Sequence, residues 1–255
     1  MIKIFVAIPT TGTVVDTLPH VLRLIEARYK DKVELVYPEA IVRRIFHDFA
    51  REAMVDEFLK TDCDVLWFID SDVVPPVSCL DAYIKAYEEW DCAAMPYPVF
   101  INAPGETAPQ VVYTIYKGRG SKGYAMAQLP LAGIDYVDGA GTGAMLIKRH
   151  VLEKIEAPRF EFKYDEKTRR MTIGEDLGFC IKVNQLGYHF FIDYSAVCSH
   201  HKTINLLDAG DYAREYAKRS VETYAESIKS QIEAFAARQK SQAFKNKILN
   251  VNGSR

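Results

Sequence analysis

The chain has 255 residues, 49% hydrophobic and 26% charged, the balance of an ordinary globular protein that can bury a substantial core and not of a disordered chain. A net charge of −2 and a sequence pI near 6.3, with no long run of like charges, exclude a general attraction for nucleic acid or anionic lipid, so an anionic substrate has to be held locally. The cysteines Cys63, Cys79, Cys92, Cys180 and Cys198 are scattered and form no CxxC pair, which argues against a disulfide framework or a zinc knuckle and predicts a reducing, cytoplasmic setting.

The opening MIKIFVAIP is too short for a secretory apolar region with its cleavage site and reads as a first strand over 2–8; no stretch reads as a membrane span. A helical pattern over 14–29, a strand over 33–37 and a second helix over 42–60 follow. The apolar run 65–69 then stops at Asp70, Ser71 and Asp72. A third helix is expected after Pro76 and a further strand over 92–95. Strands alternating with helices imply right-handed βαβ units and a largely parallel, doubly wound sheet.

After Pro96 the texture changes. PYPVFINAPGETAP is a loop rich in turn formers, 111–116 reads as a strand, and KGRGSKG is a basic loop punctuated by glycine. A strand over 134–138 leads into the tight turn DGAGTGAM and a helix over 149–155. FEFKYDEKTRRMTI has alternating side chains on either side of a polar turn and predicts a hairpin. Gly174 opens a helix over 175–186, closed by Gly187, and a strand over 189–193 leads to Cys198, Ser199, His200 and His201. Beyond Asp208, Tyr212, Tyr216, Ser220, Tyr224, Ile228 and Ile232 recur every four residues, a stripe that packs either on the protein's own body or on a partner subunit.

Four constellations bear on chemistry. In extended backbone Asp70 and Asp72 point the same way, so at the carboxyl end of a buried strand they can converge on a hard cation; a bare DxD also serves simply as a turn or helix cap. Glu175 and Asp176 at a helix start suit the macrodipole, and they also suit a general base that takes a proton from an acceptor hydroxyl. His200 and His201 after the last strand can complete a carboxylate metal site and tilt its preference towards Mn²⁺ over Mg²⁺. In the run Asp138, Gly139, Ala140, Gly141, Thr142, Gly143 the glycines allow close approach of backbone to a ligand, or form a plain tight turn. Arg51, on the second helix, reads as a solvated residue.

The order of these pieces resembles the nucleotide-sugar-dependent glycosyltransferases of the GT-A fold, most closely the family 2-like group, over residues 1–205. The parts that carry the likeness are IFVAIPTTG, the ARE before FLKTDCDVLWFIDSD, GTGAMLIKR, GEDLGFCIKVNQLGY and the histidine after the final strand. The resemblance implies an α/β, Rossmann-like fold with a mostly parallel central sheet flanked by helices. It places a transferase domain over 1–206, with a nucleotide-binding half at 1–95 and an acceptor and metal-closing half at 96–206, and a C-terminal helical extension over 207–255 that offers a surface for self-association.

The activity implied is transfer of a sugar from a nucleoside-diphosphate sugar to an acceptor hydroxyl with Mn²⁺ (or Mg²⁺). Pro9, Thr10 and Thr11 would border the base and ribose, with Arg51 nearby; Glu52 stands where related sequences often carry asparagine. Asp70 would lie near the ribose or a metal-bound water and, with Asp72 and His200, form the metal set. Ser71 and Asp138 would contact substrate, Gly141 to Gly143 would line the sugar and acceptor side, and Lys202 would add charge to the phosphates. Asp176, with Glu175 beside it, would occupy the base region. Ser199 matches the small residue that precedes the family's histidine ligand, which prefers His200 over His201. An inverting and a retaining outcome both remain open.

FIDSDVV also fits the DxDx[TV] pattern of haloacid-dehalogenase-like phosphatases, with Asp70 as nucleophile, yet that motif normally follows the first strand of its domain, here the third, and no convincing later acidic pair completes its metal site, since GEDLGFC lacks the second aspartate. Nucleotidyltransferases usually carry a basic glycine-rich loop after the first strand, and PTTGTVVD has no Lys or Arg. A sugar-nucleotide-binding protein without catalysis would not need the Glu175 and Asp176 pair.

Overall fold

In the computed structural model, residues 1–10, 14–38, 46–101, 110–118, 123–127 and 133–202 are described. All of them but Gln110 fall within one compact unit, Met1–Ile101 and Val111–Lys202. Thr11, the stripe from Tyr212 to Ile232 and the expected extension lie outside the described residues.

The strands are β1 (Ile2–Ala7), β2 (Val33–Val36), β3 (Val65–Ile69), β4 (Val73–Val74), β5 (Cys92–Ala94), β6 (Pro98–Ile101), β7 (Gln110–Gly118), β8 (Tyr124–Ala127), β9 (Ile134–Val137), β10 (Gly139–Ala140), β11 (Ala144–Lys148), β12 (Lys163–Tyr164), β13 (Met171–Ile173), β14 (Phe190–Asp193) and β15 (Ser199–His200). The helices are α1 (Thr17–Tyr29), α2 (His47–Leu59), α3 (Asp81–Lys85), α4 (Arg149–Lys154) and α5 (Glu175–Gln185). The third helix begins later than expected, because successive turns occupy residues 77–80 after Pro76.

A seven-stranded mixed sheet in the order β2-β1-β3-β11-β5-β14-β9 forms the centre. The strands β2, β1, β3, β5 and β14 run one way, while β11 and β9 run against them. This mostly parallel, Rossmann-like sheet differs from a fully parallel one chiefly at β11, where the chain leaves the glycine turn and runs back along β3 with Ala144 opposite Ile69. The run AMLI is short and, after so many turn formers, reads as part of the turn; its burial between β3 and β5 makes it a strand.

Every residue of β3 is buried, and alternation splits them between two apolar layers. Val65, Trp67 and Ile69 join Leu18, Leu22, Ile25 and Tyr83 on one face. Leu66 and Phe68 join Met54, Val55, Phe58, Phe179 and Val183 on the other. With helices on both faces, the carboxyl ends of the parallel strands are left as the open edge, where ligands of such sheets bind.

A second sheet has β7 at its centre, pairing with β10, β6 and β8. The expected hairpin is present as β12 and β13, whose turn is held by the Asp165 carboxylate accepting from the Lys167 and Thr168 amides. A small antiparallel ladder of β4 and β15 sets His200 opposite Val73 and Ser199 opposite Val74. No helix among the described residues is long and apolar enough to cross a membrane.

Candidate active site

At the open sheet edge lies a cleft of about 470 Å³ whose lining includes Pro9, Arg51, Asp70, Ser71, Asp72, Glu175, Asp176, His200 and Lys202. Chain reversals after β1, β3 and β5 deliver Pro9, the two aspartates and Tyr97; the turn before β11 delivers Thr142, and the first turn of α5 delivers Glu175 and Asp176.

The ladder of β4 with β15 fixes one wall. It carries His200 to Asp72, with His200 Nε2 3.5 Å from Asp72 Oδ2, and the His201 amide donates to the Asp72 carbonyl at 2.8 Å. His200 Nδ1 lies 2.8 Å from the Pro98 carbonyl, which only accepts, so this nitrogen carries a proton and Nε2 is the ring nitrogen turned to Asp72. His201 is exposed and its Nε2 meets Ser199 Oγ instead, which makes His200 the imidazole of this wall. Lys202 donates to Asp72 Oδ2. Burial would raise the Asp72 carboxyl, but His200 and Lys202 together hold it well below the usual carboxylate range.

Arg51 anchors the opposite side. The buried stripe of α2 contains Ala50, Met54, Val55 and Phe58, and Arg51 sits on it at 3% exposure, so the solvated-face reading gives way to a buried guanidinium. Its Nη2 donates to Asp70 Oδ1 at 3.1 Å, and its Nε lies 3.7 Å from Glu175 Oε1. Burial works against its charge, yet Asp70 and Glu175 raise its pKa further. Arg51 thus ties the DxD turn to the first turn of α5. Glu52 points elsewhere: its carboxylate accepts from Arg159 Nη1 at 3.0 Å and from the Phe160 amide at 2.6 Å, bracing the segment that leads into the hairpin.

Asp176 is mostly buried, and burial first, then the neighbouring Glu175, raise its pKa. Its Oδ1 accepts from the Leu177 amide at 2.6 Å, leaving Oδ2 as the oxygen available to a ligand. Two adjacent carboxylates therefore have different partners, Glu175 with Arg51 and Asp176 with the cleft.

The glycines of the turn make room for protein, not for a ligand. A Cβ on Gly141 would lie 2.3 Å from Tyr97 Oη, and one on Gly143 would lie 2.8 Å from both Asp70 Oδ2 and Tyr97 Oη. Tyr97 fills this space and its hydroxyl accepts from the Gly143 amide at 3.2 Å. Gly141 and Gly143 are accordingly under the floor, and buried Thr142 between them reaches the cleft. Asp138 does not line it: its carboxylate accepts from the Gly118 amide at 2.6 Å and lies 3.5 Å from His189 Nδ1. Thr10 is buried beside Pro9.

Sequence reasoning passed over His47, Tyr97, Val99, Thr114, Tyr116 and Met126, all of which line the cleft. Tyr97 carried a usable signal, since it follows a buried strand by three residues, as Asp72 does. The others come from the second sheet or from a helix start, where no motif marks them.

Among the described residues no group of three or more His, Cys, Asp or Glu side chains gathers as a metal cage. The donor chemistry of Asp72 and His200, one hard carboxylate oxygen and one nitrogen of an imidazole held through its other nitrogen, nevertheless fits two ligands of a divalent cation that takes its remaining ligands from phosphate and water. Asp70, the third member of the expected metal set, lines the same cleft and accepts from Arg51 Nη2 at 3.1 Å.

No family model and no curated protein matches the chain. Among solved structures, A197 from STIV is 26% identical with a TM-score of 0.52, over 80% of this chain and 87% of that one. GalNAc-T7, solved with UDP, GalNAc and Mn²⁺, is 12% identical with a TM-score of 0.45, over 80% of this chain and 44% of its own.

Proposed function

We propose that this protein is a metal-dependent glycosyltransferase of GT-A type that moves a sugar from a nucleoside-diphosphate sugar to an acceptor hydroxyl. The observation that carries the reading is the meeting, in one cleft at the carboxyl edge of the parallel strands, of the Asp72–His200 pair with the desolvated Asp176. Asp72 and His200 would hold the cation, and Lys202 would add a second positive charge beside the diphosphate. When bound, that cation supplies Lewis-acid stabilisation of the negative charge on the departing diphosphate. Arg51 offsets the charges of Asp70 and Glu175, so that an anionic donor meets less repulsion from the buried wall. Pro9 and Thr10 border the base and ribose side. Asp176 Oδ2 takes the acceptor's proton; burial and the neighbouring Glu175 raise its pKa, which makes it a stronger base than an ordinary aspartate.

The test is a melting screen of nucleotide sugars with and without Mn²⁺, followed by calorimetry of the corresponding nucleoside diphosphate on Asp72→Ala. A ligand at one hundred times its Kd adds about 2.7 kcal/mol of stability, so the true donor stands out. Loss of the metal-dependent part of nucleoside diphosphate binding is expected in the variant; unchanged affinity would refute the assignment. Release of phosphate from simple phosphoesters without any sugar donor would favour the phosphatase chemistry of Asp70 instead.

A further inference from the structure

The wall of the cleft that faces the charged groups is built differently, from the second sheet. Along β7 the side chains alternate: Ile115 enters the core, while Thr114 and Tyr116 turn to the cleft. Thr114 is committed, its hydroxyl donating to the Tyr97 carbonyl at 3.3 Å. Tyr116 is only partly exposed, and its hydroxyl has no hydrogen-bond partner among the described residues. The register of β7 against β8 shifts between Tyr113 and Tyr116, an irregularity of the kind that re-aims a side chain beside an active site, and it sets Tyr116 opposite Met126. Met126 and Val99 line the cleft beside it. Burial and then the charge of nearby Asp176 raise the pKa of the Tyr116 phenol, which keeps its proton on.

We propose that Tyr116, Met126 and Val99 form the acceptor subsite and that it takes a pyranose ring, whose C–H face rests on Tyr116 and Met126 while Tyr116 Oη hydrogen-bonds the hydroxyl presented to Asp176. This rests on the transferase reading above. A pyranose has a face of weakly positive C–H bonds and a rim of hydroxyls. An aromatic ring offers a negative face to the first, a phenolic hydroxyl suits the second, and a thioether fits an irregular apolar surface. In the transfer the acceptor oxygen bonds to C1 as the bond from C1 to diphosphate oxygen breaks. The acceptor proton passes to Asp176 and the electron pair leaves with the diphosphate. Tyr116 keeps its proton throughout and acts as a positioning residue.

Saturation-transfer NMR tests this on protein loaded with Mn²⁺ and the nucleoside diphosphate that the melting screen selects. The probes are the methyl pyranosides of glucose, galactose, mannose and N-acetylglucosamine. At least one should receive saturation at its ring C–H protons. Tyr116→Phe should keep that signal and raise the acceptor KM by about tenfold, the scale of one lost hydrogen bond, with the donor KM unmoved. Tyr116→Ala and Met126→Ala should weaken pyranoside binding while the nucleoside diphosphate affinity, which also reports folding, stays within about twofold. Pyranoside binding to Tyr116→Ala at wild-type strength would overturn the subsite. Binding of nucleoside diphosphate with no pyranoside signal in the wild type would overturn the sugar acceptor and leave the transferase reading standing. Failure of every nucleoside diphosphate to bind would remove both.

Discussion

Asp72 and Asp176 line one cleft, yet their carboxyls are driven in opposite directions. Asp72 sits on a ladder that brings an imidazole and an ammonium to the same oxygen, and it stays ionised far into acid. Asp176 sits on a helix start with one backbone donor, an acidic neighbour and little water, and its proton is harder to remove. The first environment suits a group that must remain an anion to hold a cation. The second suits a group that must accept a proton during turnover. Arg51 separates the two by taking Asp70 on one side and Glu175 on the other.

The largest effect should come from exchanging charge for an amide on the proton-accepting wall. Asp176→Asn should lower transfer by about two or more orders of magnitude, with nucleoside diphosphate affinity largely intact, as measured by steady-state kinetics beside calorimetry. Full activity in that variant would erase the contrast between the walls. On the other wall, His200→Ala should weaken Mn²⁺ by about tenfold or more while His201→Ala stays near wild type, read by titration of Mn²⁺ with the nucleoside diphosphate present. The reverse order would hand the role to the imidazole that now lies against Ser199.

Much of this contrast was legible in the chain, and what was not has a common physical cause. DVLWFIDSD announces a buried strand ending in acids, and the GED at a helix start announces the second wall, because both are local patterns. The ladder joining Val73 to His200 is not local: its strands are two residues long, carry no periodicity, and pair across more than a hundred positions. Arg51 read as solvated because its charge outweighed its place on the stripe of Ala50, Met54, Val55 and Phe58. The glycines of DGAGTGAM did signal a close approach, but what approaches is Tyr97, far off in sequence and invisible to any turn rule.

Tyr97 also supplies a third way to probe the comparison, since its hydroxyl lies under both walls. Gly141→Ala would force a Cβ to 2.3 Å from the oxygen of a buried tyrosine that also holds the Gly143 amide. Overpacking of this kind costs about 1–3 kcal/mol, so chemical denaturation should show a destabilised protein. Unchanged stability would mean that Tyr97 is less tightly held than its burial indicates.

The smallest effect is thermodynamic and separates the walls by sign. A carboxyl whose folded pKa is raised contributes stability that is fully present below its unfolded pKa and is lost as pH rises through the folded value. Asp176→Asn keeps the oxygen that accepts from Leu177 and removes the buried charge beside Glu175. The variant should therefore melt higher near neutral pH, by about 2–4 °C for each kcal/mol gained, and the gap should close below about pH 4. Asp72→Asn runs the other way. The Asp72 pKa is lowered, so the stability it contributes is present above the unfolded value and is lost only as pH falls through the folded one. That variant should melt lower near neutral pH, modestly because Lys202 is largely exposed, and the deficit should shrink only in strong acid. Melting curves of both variants across pH 3–8 that moved in the same direction would show that the two carboxylates share one environment.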